Sequence, residues 1–223
     1  MVVNVTKPVT QSQESVLSTN RVLRNTYALL AATLLFSAVM AAVSMAIAPP
    51  PMMSMVSFFG AIALLWFVLP RFQNSATGVG IVFLFTGLLG FSLGPMLNAY
   101  VSLPNGGTVV ATAMGGTGTI FLALSAYVLT TKKTFNFMGG MLFVGMMVVF
   151  GAVIINIFAQ MPALSLAISS VMILLMSGFI LYDTGRIVSG EETNYINATV
   201  QLFMNIFMMF THMLQLLGIM GDD

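Results

Sequence analysis

Between Arg24 and Arg71 the chain runs for 46 residues without an Asp, Glu, Lys or Arg, and three more charge-free runs follow at residues 72–131, 134–182 and 193–221. A helix crosses a bilayer with about 20 predominantly apolar residues. The runs of 46, 60 and 49 residues therefore each hold two spans and a turn, and the last, of 29, holds one. Each long run also has a breaker near its middle: Ala48-Pro49-Pro50-Pro51, Leu103-Pro104-Asn105-Gly106-Gly107 and Gln160-Met161-Pro162. Proline lacks the amide hydrogen and restricts the residue before it, so helices stop there. The pattern predicts an all-α, polytopic membrane protein with seven spans, at 26–48, 52–69, 77–101, 108–130, 137–158, 163–183 and 197–218.

Composition removes the alternatives. Charged residues make up 6% of the chain, against about 25% in a soluble domain, too few to cover a water-facing surface. A soluble enzyme, a disordered chain and a nucleic-acid binder with its basic stripe are all excluded. There is no Cys, hence no disulfide, thiolate metal site or cysteine nucleophile. No cofactor and no metal site is expected.

The basic residues orient the spans. Lys7, Arg21 and Arg24 precede span one, Arg71 follows span two, Lys132 and Lys133 follow span four, and Arg186 follows span six. All seven fall on one side of a seven-span bundle. Cytoplasmic loops retain positive charge, so the N-terminus is expected in the cytoplasm and the C-terminus outside, in the periplasm. The domain plan is a loose cytoplasmic tail over residues 1–25, a transmembrane domain over 26–218 and a short external tail over 219–223. Ala46-Ile47-Ala48 resembles a signal-peptidase site, but the apolar stretch before it exceeds the ~7–15 residues of a signal core, so it reads as a retained span.

Within the spans, Gly87, Gly90 and Gly94, followed by Pro95, form a small-residue stripe that lets another helix approach closely. Gly115-Gly116-Thr117-Gly118 and Gly139-Gly140 with Gly145 read the same way. None is followed by the lysine of a phosphate-binding loop. The 20 Met residues are adaptable packing.

Span seven carries the most information. Asn194, Asn197, Gln201, Asn205, His212 and Gln215 are spaced by 3, 4, 4, 7 and 3 and fall within an arc of about 80° at helical periodicity. A polar face on an apolar helix points into a bundle or a wet cavity, since lipid offers no hydrogen bonds. Span seven is therefore expected at the centre of the bundle, its stripe either hydrogen-bonding to other helices or lining a water or ion path. His212, the only histidine, has no second histidine or acid beside it on the helix. Asp183 is the only acid near membrane depth; it is either a helix-end carboxylate paired with Arg186 or part of a gate. Glu191 and Glu192 read as solvated loop residues. Retinal chemistry lacks its lysine, an aspartyl intramembrane protease lacks its second buried acid, and no Gly-x-Ser-x-Gly elbow is present, so no enzymatic activity is expected.

Three segments carry a resemblance. Thr86 through Asn98 (TGLLGFSLGPMLN) resembles the signature of the Bax-inhibitor-1 family, Leu181-Tyr182-Asp183-Thr184 its sixth-helix motif, and Asn197-Ala198 through Leu216-Leu217-Gly218 its last helix. The similarity runs from residue 18 onward. It implies seven helices with the last enclosed by the other six. It also implies one of two activities: modulation of the membrane protease FtsH as partner and substrate, or a pH-sensitive cation leak for calcium or protons that uses an aspartate pair on helices six and seven. That pair falls on Asp183 and Asn205, so one acid is replaced by an amide that does not ionise. Two carboxylates share a proton and titrate in coupled steps; Asp with Asn does not, and calcium prefers several carboxylates. The ion-gate candidates are then Asp183 and Asn205, with Arg71 able to reach them from span two, and Gln201 and His212 along the stripe.

Overall fold

The computed structural model describes residues 8–220; the tail residues 1–7 and 221–223 lie outside them. Seven helices among the described residues are long and apolar enough to cross a membrane. They are α1 (Pro8–Ile47), α2 (Pro51–Phe72), α3 (Ala76–Val101), α4 (Gly106–Thr131), α5 (Met138–Ala159), α6 (Pro162–Ser189) and α7 (Tyr195–Met220).

The breaks sit at the expected prolines and glycines. Pro51 and Pro162 occupy the first turn of α2 and α6, where the missing N–H costs nothing. α6 ends at Gly190, whose φ of 77° and backbone bonds to Arg186 and Ile187 make the left-handed cap that glycine adopts without a Cβ clash. Two helices are irregular. α2 widens into a π-turn at Leu64–Val68 just ahead of Pro70, which removes one backbone donor and disturbs the ladder one turn earlier. α3 is interrupted at Leu93, before Gly94-Pro95.

One boundary departs from expectation. Residues 8–25 form the start of α1 rather than a loose tail. Nothing between Val9 and Ile47 is Gly or Pro, and extending a helix that a membrane span has already nucleated costs little.

Packing explains the burial. α7 packs against α6, α4, α1 and α3, and is the most buried helix. The expectation that six helices enclose it is corrected to four: α2 packs chiefly on α3, and α5 chiefly on α6, both on the outside. Their outward faces are large and apolar, with Met55, Phe59 and Trp66 on α2 and Phe143, Met147 and Phe150 on α5, as lipid contact requires.

The loops place like with like. Gly190 approaches Thr19, Gly185 approaches Phe135, and Asn194 Nδ2 donates to the Gln73 carbonyl. The start of α1, the ends of α2, α4 and α6 and the start of α7 therefore share one end of the bundle. Arg21, Arg24, Arg71, Lys132, Lys133 and Arg186 all belong to it, and it is called the basic end below. The opposite end joins Met45 to Asn98, Tyr100 to Gly218 and Ser169 to Gln215.

The glycine stripe of α3 lies on α1. A Cβ at Gly87 would meet the Phe36 ring, at Gly90 the Ser37 carbonyl oxygen and at Gly94 the Ser44 hydroxyl. Pro95 then opens the second segment of α3. The other glycine clusters are mixed. Gly116, Gly139 and Gly145 face Met213, Tyr182 and Leu175, whereas nothing lies within 4 Å of a Cβ at Gly115, Gly118 or Gly140.

Candidate functional site

The polar stripe of α7 runs along α6 and makes three separate contacts. At the basic end, Asn194 caps the helix: its Oδ1 accepts the N–H groups of Ile196 and Asn197. Its Nδ2 donates to Gln73 and Asn74 in the α2–α3 loop. An Asx cap satisfies helix-end donors, so here the stripe ties two loops together.

The second contact is Asn205 with Asp183. Asn205 Nδ2 donates to Asp183 Oδ2 at 2.7 Å, and the two residues are 7% and 6% exposed. A buried carboxylate costs several kcal/mol unless it is paired or hydrogen-bonded, and Asn205 supplies the donor. The nearest turn brings Arg186, but its guanidinium pairs with Glu192 at 3.9 Å and lies over the Tyr182 ring. Glu192, expected to be solvated, also accepts the Asn194 N–H at 2.8 Å. Glu191 accepts from Asn136. Glu191 stays exposed, as expected, and the short α6–α7 loop turns only Glu192 back onto the protein.

Arg71 is not brought to this pair. It is exposed at the end of α2, which packs on α3 and touches neither α6 nor α7 substantially. The loop just after Arg71 reaches Asn194 at the start of α7, but Arg71 itself is exposed and forms no ion pair or hydrogen bond with Asp183 or Asn205.

The third contact lies toward the opposite end. Ser169 Oγ donates to Gln215 Oε1 at 3.0 Å. A serine has one hydroxyl hydrogen, so the second contact, between His212 Nδ1 and Ser169 Oγ at 3.3 Å, uses an imidazole N–H as donor. With the hydroxyl hydrogen given to Gln215, it is the Nδ1–H tautomer of His212 that completes this contact, and that tautomer leaves the Nε2 lone pair free. These groups border a cavity of about 250 Å³ between α5, α6 and α7. Asn156 joins them from α5, its Nδ2 donating to Ser165 Oγ at 2.7 Å and its Oδ1 accepting the Met161 N–H at 3.1 Å.

The stripe is therefore not one polar path. Asp183 and Ser169 lie 14 residues apart on α6, about 21 Å at 1.5 Å per residue. Between them Met172, Ile173, Met176 and Ile180 are all buried. Gln201, one turn before Asn205, is half-buried.

Ser169, Ser165 and Asn156 were not singled out from the sequence. One signal was available for Ser169, since it lies two heptads before Asp183 and so on the same face of α6. Asn156 had none, because its role depends on the α5–α6 turn folding Ser165 back toward it.

Residues 19–222 match the family model described as inhibitor of apoptosis-promoting Bax1. A membrane protein of Vibrio cholerae is 51% identical over 214 residues, 96% of each chain. The Escherichia coli K12 protein called modulator of FtsH protease YccA is 47% identical over 212 residues, 94% of each chain. A Pseudomonas aeruginosa protein is 44% identical over 205 residues, 91% of this chain and 90% of its own.

Proposed function

The chain belongs to the Bax-inhibitor-1 family, and from that premise we propose that it is a non-enzymatic, inner-membrane partner and substrate of an FtsH-type protease whose proteolysis it restrains. The observation that carries this reading is the 47% identity, over 94% of both chains, to a protein named for modulation of that protease. In this reading the N-terminus is cytoplasmic and the C-terminus periplasmic, because all described Lys and Arg residues share one end of the bundle and basic residues stay inside. The first 18 residues then form a cytoplasmic handle ahead of the span that begins at Thr19. Terminal segments outside a packed core are where proteolysis starts.

The test is co-purification of the full chain with the protease, together with the half-life of a second membrane substrate. The protease should be retained on the chain, and raised levels of the chain should lengthen that half-life. Deleting residues 1–18 should leave membrane insertion intact and slow the chain's own turnover. A chain that neither retains the protease nor alters substrate turnover rules the reading out.

One observation favours a second reading, a cation leak. A buried carboxylate, Asp183, sits on the helix pair at the bundle centre, and intramembrane ionisable residues mark ion or proton pathways. Calcium or proton flux into proteoliposomes separates the readings. A leak gated at this contact should increase in Asn205→Asp, where two carboxyl groups at hydrogen-bond distance titrate in coupled steps, and should lose its pH response in Asp183→Asn. Equal flux from all three chains and from empty vesicles removes it.

A further inference from the structure

We propose that the cavity between the outer parts of α5, α6 and α7 is a binding site for the headgroup of a lipid carrying both a primary ammonium and a phosphate, entered from the bilayer at the end opposite the basic one. The argument starts from unused hydrogen-bonding capacity. Ser169 Oγ gives its hydrogen to Gln215 Oε1 at 3.0 Å and lies 3.3 Å from His212 Nδ1, a contact that the Nδ1–H tautomer completes. That leaves two free groups on neighbouring turns of α7, the lone pair of His212 Nε2 and the two hydrogens of Gln215 Nε2. Both residues line the cavity and neither is fully buried. One acceptor and one amide donor, fixed side by side, suit a ligand that offers an N–H donor and an anionic oxygen a few bonds apart. A primary ammonium can donate to the imidazole lone pair, and a phosphate oxygen can accept from the amide.

The surroundings narrow the class further. None of the residues that line the cavity carries a formal charge, so the site holds no counter-ion for a ligand of net charge; a zwitterion needs none. Its remaining walls are apolar, from Val153 and Ile157 of α5 and Ile168 of α6. Ile157 is 63% exposed on the outside of the bundle, so the cavity adjoins the surface that lipid chains cover. Its level is right as well. Asn156 lies three residues before the end of α5 and Ser165 three residues after the start of α6, about 4–5 Å from the helix ends, where headgroups begin. α5 leans chiefly on α6, which leaves the gap beside α7 that a headgroup would fill.

The experiment uses the full chain in detergent micelles, with bound lipid counted by native mass spectrometry. Dioleoyl phosphatidylethanolamine, phosphatidylcholine and phosphatidylglycerol are titrated separately, and soluble phosphoethanolamine is added as competitor. The ethanolamine lipid should bind about tenfold more tightly than the choline lipid, whose quaternary ammonium has no N–H to donate, the worth of one charge-assisted hydrogen bond. His212→Phe and Gln215→Leu should each reduce it to the level of the choline lipid, and soluble phosphoethanolamine, lacking chains, should compete only weakly. Equal retention of ethanolamine and choline lipids overturns the proposal, as does a preference for phosphatidylglycerol. So does competition by soluble phosphoethanolamine at the lipid's own affinity, which would make the ligand a free zwitterion. If a variant fails to fold, the ethanolamine-against-choline comparison on the parent chain still decides.

Discussion

The α6–α7 contact has a polar group toward each end, and the two differ in what surrounds them. Toward the basic end, Asp183 and Asn205 are sealed among buried side chains and are hydrogen-bonded to each other. Toward the opposite end, Ser169 meets His212 and Gln215 beside a cavity, and both α7 residues are half-exposed. The sealed contact contains a charge-bearing group, and both of its partners are buried. The open one contains only neutral groups and has capacity left over. A sealed polar contact in an apolar bundle fixes how two helices meet, and losing one partner leaves the other stranded. An open one can exchange partners at little cost, which is what a binding site needs.

The largest expected effect concerns which end faces the cytoplasm. A reporter active only outside the cytoplasm, fused after Asp223, should be fully active, and the same reporter inserted beside Lys132 should be silent. The reverse pattern would exchange the two ends and place the open cavity in the inner leaflet.

Next comes the sealed contact itself. Asn205→Leu removes the donor to a buried carboxylate and should destabilise the protein by about 3–5 kcal/mol, read as a loss of midpoint in denaturant unfolding in micelles. Asp183→Asn with Asn205 intact keeps two hydrogen-bonding amides and should cost far less. Equal losses for the two variants would mean that the carboxylate is not stranded in the first, and the distinction between sealed and open ends would fail.

The seven spans were legible because each depends on a local property. Charge-free length sets how many there are, and proline and glycine set where they stop. The Asp183–Asn205 contact was legible from the resemblance of the α6 and α7 segments, supported by the helical stripe on α7. The exposure of Arg71 was not, because membrane level follows from sequence whereas the direction a side chain takes at a helix end depends on lateral packing, here that of α2 on α3. The cavity was equally hidden. His212 and Gln215 were visible on the stripe, but the groups that complete their surroundings come from α5 and α6 and carry no pattern of their own. The helical start of α1 was missed for the opposite reason, since polar composition was taken to mean a loose chain where helix propagation decides.

A moderate effect is expected where α3 meets α1. Gly90→Ala puts a methyl against the Ser37 carbonyl oxygen, backbone that cannot rotate away, and should cost about 1–3 kcal/mol. Gly115→Ala, with nothing within 4 Å, should be neutral or stabilising by up to about 1 kcal/mol, as expected for removing glycine from a helix. Both are read from thermal unfolding in micelles. If Gly90→Ala is silent, the close approach of α1 to α3 does not hold the bundle, and the α6–α7 contact carries more of its stability.

The smallest effect belongs to Ser169, and it decides whether the two ends differ in kind. Ser169→Ala deletes both hydrogen bonds at the open end. By number of bonds lost it is the more severe change, since Asn205→Leu deletes one. The surroundings predict the opposite order. His212 Nδ1 and the Gln215 amide border a cavity that admits polar partners, so neither is stranded when the hydroxyl goes. Side-chain hydrogen bonds between membrane helices average about 0.6 kcal/mol, so the loss should stay near or below about 1 kcal/mol. The two contacts lie about 21 Å apart along α6, with buried apolar residues between them. Combining Ser169→Ala with Asn205→Leu should therefore give the sum of the separate losses to within about 0.5 kcal/mol. The measurement is a set of four unfolding curves, for the parent, the two single variants and the double. A Ser169→Ala loss as large as that of Asn205→Leu would show that the far end is sealed too, and the free lone pair on His212 would then have no ligand to meet. A coupling well above 0.5 kcal/mol would show that the apolar layer transmits between the contacts, which would make the stripe a single connected device.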